Sequence, residues 1–487
     1  MTIAQLLQYT AERPDDLALI DNGREVRYAA FTRDLWKFAR AVQKFGLLPG
    51  QSVAIGVDDS YTHWLMLLAF ESLGVTTASF HAREGQTGHA LLGAVDLVLA
   101  EPHYPPGGWA TRLVTRDWLN AVQAAPDEGP VAGPAPRPTD ALRIVRTSGT
   151  TGEPKRYLLR RSLLDAKMNN MRFLYPGDVV GSRRLTPLPW SIGGTYMSAT
   201  LALRQGAVLV IERQLDMAEL PALVRRYGVA RLTLLPVQMK QVLERLPDDW
   251  TMPPDLEINS IGAAVPEKLR AAVTARFAPR LNEIYASNEA GVVAVIREAG
   301  SEGFGLILPN VEVEIVDEAD LPVPDGSLGQ IRIRSSSVFE GYLDDRTLTR
   351  RMLRDGWFYP GDIGVRQGPL LQMIGRVDDQ VNLGGSKYAL NKLETAVQTA
   401  GGASVKEVGM VVVPGQAGLP KLVVGVVMEG EADRAALDRM VGALQLIVPA
   451  DLNFVRLPAI PRNEAGKIDR ARLAEAAAAA RRGEGIS

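Results

Sequence analysis

The segment Arg146-Thr-Ser-Gly-Thr-Thr-Gly-Glu-Pro-Lys155 crowds two glycines and four hydroxyl residues into a short stretch that a lysine closes. Backbone amides in such a loop can converge on one anion, and glycines let the backbone approach it closely. The apolar run Ala141–Val145 ahead of it reads as a buried strand feeding the loop. Together these features suit phosphate. Neither of the two commonest phosphate patterns is present, since no Gly-x4-Gly-Lys-Ser/Thr and no Gly-x-Gly-x-x-Gly occurs. Taken alone the loop would pass for a polar surface turn. Its partners further along the chain argue for chemistry.

Those partners are short and ordered. Gly262-Ala-Ala264 precedes a helical pattern, and Tyr285-Ala-Ser-Asn-Glu289 follows an apolar stretch. Gly356-Trp-Phe-Tyr-Pro-Gly-Asp362 comes next, then Gly375-Arg-Val-Asp-Asp379 with Gly384-Gly385, and finally Pro461-Arg-Asn-Glu-Ala-Gly-Lys467. Singly, Asp362 could cap a turn, Arg376 could be a surface ion pair, Lys467 a solvated turn lysine and Tyr285 a core aromatic. There is no cysteine, which excludes disulfides, thiolate nucleophiles and cysteine metal sites. All four histidines (His63, His81, His89, His103) fall early in the chain, away in sequence from these segments, and no His-Glu-x-x-His occurs. The expected chemistry therefore runs on lysine, carboxylates and a bound cation.

The elements that must position these residues follow an α/β rhythm. Helical patterns at Phe31–Gln43 and Thr62–Leu73 flank a strand pattern at Ser52–Val57. Residues 101–140 carry Pro105, Pro106, Pro126, Pro130, Pro134, Pro136 and Pro138, and read as a surface connection. Further α/β units include strands at Ala207–Ile211 and Ala230–Leu235 and a helix at Met217–Arg226. From Gly305 to Ser336 short β runs suggest a small β subdomain. Past Arg376 comes an independent α/β module, with a helix over Leu390–Thr399, β runs at Glu407–Val413 and Lys421–Met428, and an alanine-rich helical tail from Ala471 to Ile486.

The expected fold class is thus α/β: a large N-terminal domain (1–375) of layered α/β subdomains plus a small β subdomain, and a small mobile α+β C-terminal domain (376–487). The 487 residues, 46% hydrophobic and 23% charged, can bury a large core. A net charge of −2 leaves no basic footprint for nucleic acid. No run approaches the length of a membrane span, and the N-terminus reads as an amphipathic helix and not a signal peptide. A cytoplasmic monomer or homodimer fits these features.

In order and spacing, these motifs resemble the adenylate-forming superfamily of acyl- and aryl-CoA synthetases, luciferases and peptide-synthetase adenylation domains, over almost the whole chain. The resemblance implies roles. Thr147, Ser148, Gly149, Thr150, Thr151, Gly152 and Lys155 would cradle the β- and γ-phosphates of ATP. Glu289 would help bind Mg²⁺, a hard cation suited to oxygen donors. Gly262, Ala263, Ala264, Tyr285, Ala286 and Asn288 would line the nucleotide site, with Tyr285 stacked on adenine. Asp362 and Arg376 would hold the ribose. Lys467 would bridge the substrate carboxylate and the α-phosphate, where two anions must be brought into line. Asp378 matches a hinge about which the C-terminal module turns, bringing Gly384 and Gly385 to a pantetheine channel.

The chain departs from the family pattern in places. Ala286 and Asn288 stand where glycine and threonine are usual, and Asn288 keeps a hydrogen-bond donor for phosphate. Trp190 of Pro187-Leu-Pro-Trp190 stands where many relatives carry histidine. Gly193 falls where peptide-synthesis relatives place an aspartate for an α-ammonium, so an amino-acid substrate would leave its charge unpaired. Trp190, Gly193 and Gly194 are read as an acid pocket with room for a flat or apolar acyl body. The expected reaction converts an aryl or medium acyl acid with ATP to an acyl-adenylate and pyrophosphate, then to a thioester with coenzyme A. Loading of a carrier-protein phosphopantetheine is the alternative, and a non-catalytic acyl-nucleotide binder a further one.

Overall fold

A computed structural model describes residues 2–81, 93, 95–103, 109–147, 155–175, 180–212, 215–297, 303–377, 380–383, 386–414, 420–430, 434–445, 448, 451–463 and 466–483. The chain divides into two compact units. One is built from Met1–Gly149, Glu153–Val313 and Ile333–Phe358, the other chiefly from Glu314–Arg332 and Tyr359–Ser487.

The first unit contains two sheets with parallel centres. In one, strands Arg280–Ser287, Glu257–Ser260, Arg231–Leu234, Arg183–Leu185, Val208–Ile211 and Leu17–Asp21 lie side by side, all parallel. Antiparallel strands flank that run: Arg24–Arg27 at one end, and Gly291–Ile296 with Phe304–Ile307 at the other. The second sheet runs Thr111–Leu113, Leu97–Ala100, Ser52–Gly56, Thr76–Ser79, Ala141–Thr147, Lys155–Arg160, with only the last pair antiparallel. Val208–Ile211 and Leu97–Ala100 are apolar and buried throughout, as parallel strands covered on both faces tend to be. The helix Ser60–Ser72 is buried along Tyr61–Glu71, and its cap is Asp59, whose carboxylate accepts from the Thr62 amide at 2.8 Å.

The stretch 101–140 is more than a connection, which corrects the sequence expectation. It holds the edge strand Thr111–Leu113 and the helix Arg116–Ala124. Thr115 caps that helix by accepting from the Trp118 amide at 3.1 Å, and the Trp118 ring packs on Phe38 and Phe45.

In the second unit, Asp362–Gln367 and Leu370–Arg376 form an antiparallel pair. Beyond them Val405–Pro414, Pro420–Met428 and Asp451–Arg456 make a three-stranded sheet. Helices Leu390–Gly401 and Arg434–Gln445 cover one face, packing Leu390, Leu393, Val397, Met440 and Leu444 on Leu422, Val424 and Val426. The helix Arg470–Gly483 covers the other, with Leu473 and Ala477 against Val423 and Val455. The alternation of Leu422, Val423 and Val424 between the two cores is the period of a strand buried on both sides.

Candidate active site

In open α/β sheets, ligands are met beyond the carboxyl ends of the parallel strands. The predicted residues of the first unit fall there. Thr147 ends its strand and pairs in register with Lys155, so the hairpin holds the two ends of the predicted phosphate loop side by side. Ser148, Gly149, Thr150, Thr151 and Gly152 lie outside the described residues. Gly262 follows the strand Glu257–Ser260 with a φ of +90°, a conformation that favours glycine, and Ala263 and Ala264 beside it are exposed.

Tyr285 and Ala286 sit at a bulge, where the register against Ala294 and Val292 shifts. A bulge re-aims the residues that follow it. Those residues are Ser287, Asn288 and Glu289. Asn288 ties them to the root of the phosphate loop: its Nδ2 donates to the Arg146 carbonyl at 3.1 Å, and its own carbonyl accepts from the buried Tyr157 hydroxyl at 2.7 Å. One of the two N–H donors of the Asn288 side chain is therefore engaged with backbone. The Glu289 carboxylate accepts from the Tyr342 hydroxyl at 2.9 Å, and Lys155 Nζ lies 5.6 Å from the centre of the Tyr342 ring. The structure thus brings Thr147, Lys155, Asn288 and Glu289 into one neighbourhood, linked by strand pairing, hydrogen bonds and the contact of Lys155 with the Tyr342 ring.

Gly193 starts the helix Gly193–Arg204 and is buried. A Cβ there would lie 2.7 Å from Asn288 Oδ1, and one at Gly194 would lie 3.4 Å from Ile261 Cδ1. The room read into Gly193 is therefore filled by the Asn288 amide, which a side chain at 193 would displace. Gly193→Ala is expected to cost about 1–3 kcal/mol in stability or in kcat/KM for ATP, the usual effect of overpacking. Thermal melts and steady-state kinetics check this.

Trp190 is 6% exposed. Its ring stacks on His63 at 5.9 Å and 7°, meets Trp64 edge-on at 5.1 Å, and its carbonyl accepts from Arg143 at 2.8 Å. His63, distant in sequence from the motifs, thus packs against Trp190. Sequence distance hid this contact, because the helix Ser60–Ser72 carries His63 to Trp190. His63 is itself fully engaged, with Nδ1 bonded to the Val57 carbonyl at 2.9 Å and Nε2 to Ser79 Oγ at 2.7 Å. Burial pushes its pKa down to about 3. The unfolded chain then binds a proton that the folded one refuses between about pH 6.5 and 3, so stability falls as pH drops through that window. At pH 5 this group alone should cost about 2 kcal/mol relative to pH 7. Urea unfolding at both pH values tests it, and His63→Gln should remove that part of the difference.

In the second unit, Asp362 begins one strand and Arg376 ends its antiparallel neighbour, directly opposite in register. Arg376 Nε lies 3.5 Å from Asp362 Oδ1, and its Nη2 donates to the Pro360 carbonyl at 2.9 Å. Gly361, at φ +79°, accepts from the Val377 amide at 2.7 Å and so closes the bracket. Two residues that the sequence offered separately are one preassembled pair. Lys467 is exposed on a turn fixed by backbone: Asn463 N donates to Lys467 O and Gly466 N to Asn463 O, each at 2.9 Å, and Arg462 Nη1 donates to Gly466 O at 2.8 Å. Asp378, Gly384 and Gly385 lie outside the described residues.

Two side chains of the site went unrecognised in the sequence. Tyr342 had a weak signal, a Gly-Tyr pair shortly after Phe339. Lys167 had a better one. On the helix Arg161–Met171 it occupies the apolar stripe of Leu163, Leu164 and Met168, a place where lysine is out of pattern. Its ammonium donates to the carbonyls of Asn288 (3.1 Å), Glu289 (3.2 Å) and Ser337 (2.8 Å). Burial pulls its pKa down to about 7, and the Glu289 carboxylate opposes that shift.

Residues 96–343 match the model of the AMP-binding enzyme family, and the chain belongs to that family, within the adenylate-forming superfamily. It is 26% identical to the sulfoacetate–CoA ligase of Cupriavidus necator, over 97% of each chain. It is 30% identical to the indoleacetate–CoA ligase of Aromatoleum aromaticum over 61% of this chain, a match that spans 58% of that ligase. The fold matches ATP-bound MatB from Rhodopseudomonas palustris with a TM-score of 0.85 at 20% identity, over 98% of this chain and 99% of that one. Among the described residues no helix is long and apolar enough to cross a membrane.

Proposed function

We propose that this chain is an AMP-forming acid–thiol ligase acting on an aryl or medium acyl acid that lacks an α-amino group. It uses ATP to make the acyl-adenylate and pyrophosphate, and then passes the acyl group to coenzyme A. The observation that carries the first step is the neighbourhood of Lys155, Tyr342 and Glu289 at the root of the phosphate loop. The named CoA ligases to which the chain is similar support the second.

The residues take these parts. Lys155 and the loop ahead of it bind the terminal phosphates. Glu289 offers a carboxylate oxygen held by the Tyr342 hydroxyl, a hard donor that fits Mg²⁺. When bound there, Mg²⁺ neutralises phosphate charge. Tyr285 contributes a ring for adenine, and Gly262, Ala263 and Ala264 an exposed backbone edge. Asp362 accepts from the ribose hydroxyls, with Arg376 alongside. Lys467 lowers the repulsion between the attacking carboxylate and the α-phosphate. Asp378 serves as hinge between 1–375 and 376–487, and Gly384 and Gly385 line the thiol channel. Gly193, which offers no acid, disfavours amino acids. The compartment is the cytoplasm.

Carboxylate-dependent ATP–pyrophosphate exchange over aryl, alkyl and amino acids tests the reading. Exchange with an aryl or alkyl acid, followed by thioester formation with free coenzyme A, is the expected result. Exchange confined to amino acids overturns the substrate class, and silence across the panel overturns the ligase. A thioester formed only on a carrier protein replaces coenzyme A as acceptor.

A further inference from the structure

Lys167 is charged, 2% exposed and without an assigned part. A buried ammonium is tolerated only where its donors are met. Here its three donors meet three backbone carbonyls from two separate segments. One segment is the turn Asn288–Ala290. The other is the loop Ser335–Phe339. Further bonds join the same two: Ser337 Oγ donates to the Ala290 carbonyl at 2.7 Å, and the Phe339 amide to the Glu289 carbonyl at 2.8 Å. Asn170, one helical turn from Lys167, donates to Ser337 Oγ at 3.0 Å. The turn closes directly on the lysine, since a Cβ at Gly291 would lie 3.4 Å from Lys167 Cγ and 3.5 Å from its Nζ. The loop then continues to Tyr342, which holds the Glu289 carboxylate.

We infer that Lys167 is a positioning residue for this site: its ammonium locks the carbonyls of Asn288 and Glu289 to that of Ser337, and so fixes the direction in which the Glu289 carboxylate leaves the chain. The inference rests on the proposed role of Glu289 at the metal–nucleotide site. Groups that orient metal ligands from behind commonly change metal affinity by about 10–100-fold when removed.

The test is a double-mutant cycle read by calorimetric binding of ATP with Mn²⁺, and of ATP alone in chelator. Lys167→Met should weaken Mn²⁺–ATP binding by about 10–100-fold and leave metal-free ATP binding nearly unchanged. In a Glu289→Gln background the same substitution should cost less than about threefold, because the carboxylate it positions is gone. Equal losses in both backgrounds, or an equal loss for metal-free ATP, overturn the inference and reduce Lys167 to a packing role. If Glu289→Gln alone leaves Mn²⁺–ATP binding intact, the role of Glu289 fails and the inference with it. A wild-type protein that binds Mn²⁺–ATP yet shows no exchange sinks the ligase reading only. Should Lys167→Met not fold, Lys167→Gln takes its place in the cycle and is read the same way.

Discussion

Lys467→Ala is expected to slow adenylate formation by roughly 10²–10³-fold, about 3–4 kcal/mol of transition-state stabilisation. The turn that carries Lys467 is set by main-chain bonds among Asn463, Gly466 and Lys467 and by the bridge between Arg462 and Ile468, none of which involves the lysine side chain. Alanine removes the charge and keeps these main-chain bonds. Thioester formation from pre-made acyl-adenylate should be largely spared, since the two-anion problem exists only in the first step. Single-turnover assays of the two half-reactions separate the outcomes. Equal loss in both would show that Lys467 acts in each, or that the variant is misfolded.

Asp362→Ala should raise KM for ATP and lower kcat/KM by about 2–4 kcal/mol. Two losses combine. On the proposed role the ribose loses its charged acceptor, and Arg376 loses a carboxylate 3.5 Å away while its Nη2 stays on the Pro360 carbonyl. The measurement is the preference for ATP over 2′-deoxy- and 3′-deoxy-ATP. Wild type should discriminate against one or both, and the variant should not. A variant that keeps the preference, with a lowered melting temperature, would show that Asp362 only braces the strand pair.

The fold class was legible because each layer announces itself by its period. The run Val208–Ile211 is apolar throughout, as a strand covered on both faces must be, and Leu390, Leu393 and Val397 mark one helical face. The family was legible from the motifs only as an ordered set, since each of them alone has an ordinary structural use. What stayed hidden depended on distance. Lys167 reaches carbonyls 121, 122 and 170 residues away, and a carbonyl belongs to every residue type, so no spacing betrays it. His63 lies against Trp190 only because two elements far apart in sequence pack together. Over 101–140 the prolines outweighed a short helix whose evidence was one threonine cap and one tryptophan. Asn288 was read for its chemistry, and its packing beside Gly193 and its bond to the Arg146 carbonyl carried no sequence signal.

The two cores of the three-stranded sheet are drawn wholly from residues beyond the Asp362–Arg376 bracket, from Tyr388 to Ala480. The turn of Lys467 depends on that same stretch. The pocket glycines and Trp190 depend on another part of the chain. Inheritance can therefore act on the two parts at different speeds. On the proposed reading, substitutions at Trp190, Gly193 or Gly194 that change the acid accepted fall where the main-chain bonds of the lysine turn are untouched. The chain works like a tool with a fixed handle and an exchangeable bit.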